Sequence, residues 1–347
     1  MTADTTGSTG TTDTTGSADL RARRLIAQLL APAAARPTPT DLAGAASWMT
    51  AVQDQNAAAG RDALALRLGT DVYADPGTVS PADLAAAGIV RSWSQRGTHH
   101  LLPARDVRWI TRLCSPRVQR ASAQRRGRVG LTDDDVDRCR EALLTALAAL
   151  PAGATLTRTQ CYDVFRTAGV DPDGGRGPHL LRHFGGEGDI IQGAPADGDT
   201  FVLHDAVVTD PVELTGQDAL RELGVRYFHS RGPATTADFA WWAGLTRTDA
   251  KQAAVLALAT GTVIARTADD GRTLYLADWQ ADVTPGELAA AVSPDAPPLR
   301  LPGFDEYLLA YADRSDIVSP AVFAEVATKN GIFRPVTVHA GTVTGRW

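Results

Sequence analysis

Gln53 and Gln55 flank Asp54 within MTAVQDQNAAAGRDALALRL, residues 49–68. Apolar residues at helical spacing lie on both sides, so the polar triplet falls at a break between two helical patterns. Backbone geometry decides what chemistry is open to it. Extended backbone would put Gln53 and Gln55 on one face and Asp54 on the other, making a pair of carboxamides aimed at a substrate. Helical backbone would splay the two amides by about 200° and make no clamp. A polar, solvated helix end is the plain alternative.

A second signal is charge segregation. From Arg91 to Arg128 the chain carries ten arginines and a single acid, Asp106, although the net charge is −6. Distribution matters more than the total for a polyanionic partner. The competing reading is a solvated surface, and an arginine-rich, alanine-rich composition with only Lys251 and Lys329 also fits a GC-rich genome. Cys114, Cys139 and Cys161 are widely spaced, without CxxC, and read as reduced core cysteines. The seven histidines form no ligand array, so no metal and no cofactor are expected. Residues 1–18 are Thr, Gly, Ser and Asp with almost nothing to bury, and read as a structureless tail without the features of a signal peptide. No apolar run approaches the roughly 20 residues of a membrane span. A cytoplasmic protein is expected.

The elements that would position these residues recur with a period. DALRELGVRYFHSRG, PATTADFAWWAGL and TRTDAKQAAVLAL read as three helices, with Thr235/Asp238 and Thr246/Asp249 at capping-box spacing. TVIART and RTLYLA follow as strands joined at Ala268–Gly271. Helix-turn-helix plus hairpin predicts a winged helix. A second copy closes with DIIQG and DTFVLH around Pro195–Gly198, and a first with IVRSWSQRG and THHLLPARD. The expected fold class is therefore α+β, mainly α: three tandem winged-helix modules plus a C-terminal β-rich segment. The bounds are a tail over 1–18, modules over 19–130 (with the basic linker), 131–210 and 211–296, and the last segment over 297–347. The third module's recognition helix offers only Arg247, Lys251 and Gln252, thin for reading bases. Arg176, His179, Arg182 and His183 in the second module are better placed. The Trp241–Trp242 pair reads as core rather than as a base-stacking wedge.

AVQDQNAAAGRDALALRL, VRSWSQRGTHHLLPARD, YFHSRGPATTADFAWWAGL, LPGFDEYLLAYADRS and NGIFRPVTVHAGTVTG fall in an order that resembles the AlkZ-like winged-helix DNA glycosylases, the group named for azinomycin resistance in actinobacteria. The resemblance covers nearly the whole chain after residue 19. It implies a concave, positively charged channel for double-stranded DNA, excision of N7-alkylated guanine and, in some members, unhooking of interstrand crosslinks. The family's catalytic Gln-x-Gln maps onto Gln53 and Gln55. Asp54 departs from the usual apolar middle residue, as do Gln95 and His99 in the first wing, whereas Arg96, Gly97, Thr98 and His100 match.

The chemistry suits amides. N7 alkylation gives guanine a positive charge and makes it a good leaving group, so general-acid help is little needed. Amide oxygens can hold the attacking water and stabilise an oxocarbenium-like sugar. Gln53 and Gln55 are the expected catalytic pair, with Asp54 as alternative base. Arg96, Thr98, His100, Arg117, Arg120, Arg125 and Arg126 are the expected substrate and DNA contacts. The expected protein is a monomeric, monofunctional glycosylase without lyase activity, serving DNA repair or self-resistance. A non-catalytic winged-helix regulator and a drug-sequestering resistance protein are the alternatives.

Overall fold

The computed structural model describes residues 14–193 and 199–347. Thr14–Thr15 (β1) precedes the helix Ser17–Ala27. The helix Leu42–Met49, Val52–Gln53 (β2), the helices Ala57–Leu66 and Pro81–Ala86, and the hairpin Ile89–Trp93 (β3) and His99–Pro103 (β4) follow. The basic stretch forms the helices Val107–Cys114, Pro116–Ala123 and Arg126–Val129. Next come the helix Asp133–Ala148, Leu156–Thr157 (β5), the helices Arg158–Thr167 and Arg176–Gly186, and the pair Ile190–Gln192 (β6) and Thr200–Leu203 (β7). The helices Gly216–Arg231, Thr236–Ala243 and Arg247–Leu258 lead to Val263–Ala268 (β8) and Thr273–Ala277 (β9). Leu299–Leu301 (β10), Val336–His339 (β11) and Thr342–Arg346 (β12) close the chain.

Local chemistry explains these boundaries. Thr132 and Asp135, and Thr235 and Asp238, form reciprocal capping boxes, and Thr246 caps its helix through the Asp249 N–H. Gly244, at φ 74°, takes the left-handed conformation that ends the helix 236–243 and lets the next begin. Gly271, at φ 84°, turns β8 into β9. The turn expected at Pro195–Gly198 lies outside the described residues.

The hairpins do not stay separate. β3 pairs antiparallel with β6 through Arg91 and Gln192, which fuses two hairpins into one six-stranded sheet in the order β2-β4-β3-β6-β7-β5. β8–β9 is extended instead by β1, whose Thr14 and Thr15 pair with Thr267 and Ala268. The expected structureless tail is corrected here: a free sheet edge takes up residues 14–15, and Ser17–Ala18 open a helix whose Leu20 is buried. Residues 1–13 lie outside the described residues.

The largest core joins the helix Gly216–Arg231 to the C-terminal segment. Tyr227, Phe228, Phe239 and Trp242 pack there with Tyr307, Tyr311, Val336 and Val338. Two buried hydroxyls stitch it: Tyr227 donates to the Ala310 carbonyl at 2.8 Å and Tyr311 to the Arg231 carbonyl at 2.9 Å. The three cysteines are buried and free.

Candidate active site

The Gln53–Gln55 triplet occupies an extended break between two capped helices. Thr50, held at φ 61°, turns the chain out of the helix 42–49. Asn56 accepts from the Ala58 and Ala59 N–H groups and starts the next helix. Between them β2 lies against β4, with Gln53 opposite His100, and the Asp54 N–H donates to the His99 carbonyl at 2.8 Å. The strand period then does what a helix would not: it puts both amides on one face.

The amides form a chain of hydrogen bonds. Arg96 Nη2 donates to Gln53 Oε1 at 2.7 Å, and Gln53 Nε2 donates to Gln55 Oε1 at 3.1 Å. Gln53 is 6% exposed, whereas Gln55 stands in solvent at the outer end. Each donor polarises the next group along such a chain, so the Arg96 charge acts on both amides. Arg96 is itself held at φ 55° and also donates to the Trp242 carbonyl. Burial lowers its pKa from the ordinary guanidinium value.

A buried carboxylate anchors the backbone beneath. Gln53 N–H donates to Glu306 Oε1 at 3.1 Å. The second Glu306 oxygen accepts from Arg231 Nη2 at 2.7 Å and Trp242 Nε1 at 2.8 Å, and both members of this ion pair are fully buried. Arg231 also donates to the Ala51 carbonyl. Strand, helix and C-terminal segment thus converge on one residue of the triplet.

Asp54 faces the other way. Its carboxylate is 1% exposed and accepts from Arg91 Nε at 2.6 Å. A methyl group on Gly60 would overlap its second oxygen, so the neighbouring helix passes close because that residue is glycine. Burial pushes the Asp54 pKa up to about 6, against the opposing pull of Arg91. Arg91 in turn reaches Gln192 and Asp199 in the β6–β7 region. Asp54 is therefore part of a polar seam between two hairpins, on the face away from the amides.

The other predicted contacts divide. Thr98 is partly exposed and closes the hairpin turn, its hydroxyl donating to the Gln95 carbonyl at 3.2 Å. His100 is corrected from a substrate contact to an interior residue. It shares the sheet face of Gln53, its partner across the pair, but is 0% exposed because the hairpin turn encloses it: Nδ1 lies 3.0 Å from Ser94 Oγ and 3.1 Å from the Thr98 carbonyl. Burial holds its pKa well below the usual histidine range. Arg117 donates to the Leu245 carbonyl, and Arg126 is paired with Asp133 and His183. Arg120 and Arg125 are exposed, and their side chains make no hydrogen bond or ion pair among the described residues. Arg182 joins them: it is exposed, its guanidinium lies against Gly97, and the Arg125 charge acts on it. Glu306 and Arg231, central to the geometry, lie some 180 to 250 residues from Gln53 and carried no local signal.

A family model described as "DNA glycosylase AlkZ-like" matches residues 46–347. The chain belongs to the AlkZ-like DNA glycosylase family. Among solved structures it is similar to the Streptomyces sahachiroi DNA glycosylase AlkZ, with a TM-score of 0.72 and 24% identity over 96% of this chain and 88% of that one. The likeness at that identity is one of fold. No curated protein matches the chain. Membership gives this AlkZ-like protein a DNA glycosylase role, with DNA as its partner. Among the described residues no helix is long and apolar enough to cross a membrane.

Proposed function

We propose that this chain is a monofunctional glycosylase that excises cationic, N7-alkylated guanine from duplex DNA, with Gln53 and Gln55 as its catalytic groups. The observation that carries this reading is the amide chain: Arg96 to Gln53 to Gln55, on one face, ending at a solvent-facing carboxamide. The glycosidic bond of N7-alkylguanine breaks with its electron pair leaving to N9 of an already cationic base, which departs neutral. Water oxygen forms the new bond to C1′, and its proton passes to solvent. The amide oxygens stabilise the oxocarbenium-like sugar and accept from the water. No acid is required, and among the described residues none is bonded to the side-chain carboxamides of Gln53 and Gln55.

The three helix-rich stretches, each closed by a hairpin, act as tandem winged helices whose exposed arginines face the duplex as a monomer. Arg120, Arg125 and Arg182 supply phosphate contacts. The chain's two lysines, Lys251 and Lys329, lie far in sequence from the glutamines, and the proposed reaction is simple hydrolysis without a Schiff base. Incubation with a duplex carrying one N7-methylguanine, followed by mild alkali, tests the reading. Strand cleavage at the lesion, dependent on protein, is the expected result. An intact strand from a protein that binds the duplex would overturn it and leave a non-catalytic DNA-binding protein.

A further inference from the structure

Trp241 and Trp242 are consecutive on one short helix and have opposite fates. Trp242 is fully buried, its indole N–H on Glu306. Trp241 is 44% exposed, one of the few large apolar side chains left in solvent. It is nevertheless held in place. Its Nε1 donates to the Leu309 carbonyl at 3.3 Å, Arg314 lies 5.3 Å from the ring centroid, and Arg96 lies 5.9 Å from it. Arg314 is fixed in turn by the Leu308 carbonyl at 2.6 Å and by the rings of Phe323 and Phe333.

One guanidinium therefore lies near the indole and is bonded to the proposed catalytic amide, because Arg96 also donates to Gln53 Oε1. An exposed indole that is fixed on its protein side and linked to Gln53 through Arg96 is a flat surface ready for a partner with a π face. Base–aromatic stacking is tolerant of sequence, which suits an enzyme that recognises damage and not sequence. The charges select the occupant. Neither Arg96 nor Arg314 makes an ion pair among the described residues, so both press positive potential on the ring. A cationic alkylguanine is repelled there, whereas a neutral base gains from stacking on the indole and from the cations beside it.

We infer that Trp241 is a stacking platform for a neutral, unpaired nucleobase of the bound duplex: the base left without its partner when the lesion leaves the helix. The inference rests on the glycosylase reading for its biological meaning but not for its test. A duplex with an abasic-site analogue opposite 5-iodouracil needs no excision. Irradiation of the wild-type complex is expected to crosslink the iodouracil to Trp241, located by mass spectrometry of the digested adduct. Trp241→Phe should retain a crosslink at the same position and Trp241→Ala should lose it, with binding to undamaged duplex within about twofold of wild type.

With an N7-methylguanine duplex, Trp241→Ala should slow single-turnover excision roughly 5- to 150-fold, the usual range for loss of one stacked aromatic. A crosslink that is absent from bound wild-type protein, or maps elsewhere, overturns the platform even if excision proceeds. A crosslink at Trp241 in a protein that excises nothing supports the platform and sinks the catalytic reading alone. Should Trp241→Ala fail to fold, the wild-type crosslink and the Trp241→Phe variant still decide.

Discussion

Asp54 and Arg91 meet at 2.6 Å on the face of the strand opposite the Gln53–Gln55 pair. This relation separates the two candidate bases of the triplet by geometry: the carboxylate is engaged with a cation inside the protein, and the amides border the open side. Asp54→Asn keeps the shape and removes the charge. Single-turnover excision should stay within about threefold of wild type at pH 7.5. A collapse of the rate in a folded, DNA-binding variant would assign the base to Asp54.

The same pair makes a pH prediction. Burial raises the Asp54 pKa to about 6 in the folded protein, above the 3.8 of the free carboxylic acid. A base at Asp54 would lose activity as pH falls through 6. Amides do not titrate, so the excision rate of the wild type should remain level from pH 8 to pH 5.5. Stability carries the opposite sign. The folded state takes up this proton before the unfolded state does, so the group's contribution to stability improves as pH falls from 7 toward 4. The melting temperature of wild type relative to Asp54→Asn should therefore rise over that interval.

The two glutamines should respond differently. Gln55 is exposed and, among the described residues, bonded only to Gln53, so Gln55→Ala should lower excision on the order of 10²-fold with little change in melting temperature. Gln53→Ala should cost as much rate and also roughly 1–3 kcal/mol of stability, since the Arg96 guanidinium loses one of its two acceptors in a buried setting. Thermal melts beside single-turnover assays separate the two effects. Equal melting temperatures for the pair would contradict the hydrogen-bond chain.

Much of this arrangement was legible in the sequence because it is local. Thr132 with Asp135, and Thr235 with Asp238, announce helix starts within four residues, and the Gln-x-Gln spacing acquires meaning as soon as the backbone is extended. What stayed hidden was non-local. Glu306 reads as one acid in LPGFDEYLLAYADRS until the fold sets its carboxylate under Gln53. The pairing of β3 with β6 depends on single residues of two hairpins meeting, at Arg91 and Gln192. Trp241 and Trp242 look alike as a dipeptide, and only helix rotation tells which faces water. His100 matches the family motif, but sequence could not tell a substrate contact from strand packing; the hairpin turn, with Ser94 and Thr98, encloses its ring.

Glu306 should matter for folding more than its single charge suggests. It accepts from Gln53, Arg231 and Trp242, and its removal leaves Arg231 buried without a counter-ion. Glu306→Ala should destabilise the protein by about 3–5 kcal/mol, the usual cost of stranding one member of a buried pair. Denaturant unfolding measures it. A loss below about 1 kcal/mol would mean that Arg231 finds another partner and that the anchor beneath Gln53 is dispensable.

Salt dependence tests where the duplex lies. Each phosphate contact made by an arginine releases a counterion and steepens the fall of affinity with salt. Among the described residues the Arg120 and Arg125 side chains carry no partner, whereas Arg117 is tied to the Leu245 carbonyl and Arg126 to Asp133 and His183. Five single Gln variants should therefore fall into two groups. Arg120→Gln and Arg125→Gln should each reduce the slope of log K against log salt by about 0.9, and Arg182→Gln should join them. Arg117→Gln and Arg126→Gln should change the slope less and the melting temperature more. Fluorescence anisotropy with undamaged duplex, from 50 to 200 mM salt, gives the slopes. If all remain at the wild-type value, the arginine-rich helices are a solvated surface and DNA lies elsewhere on the molecule.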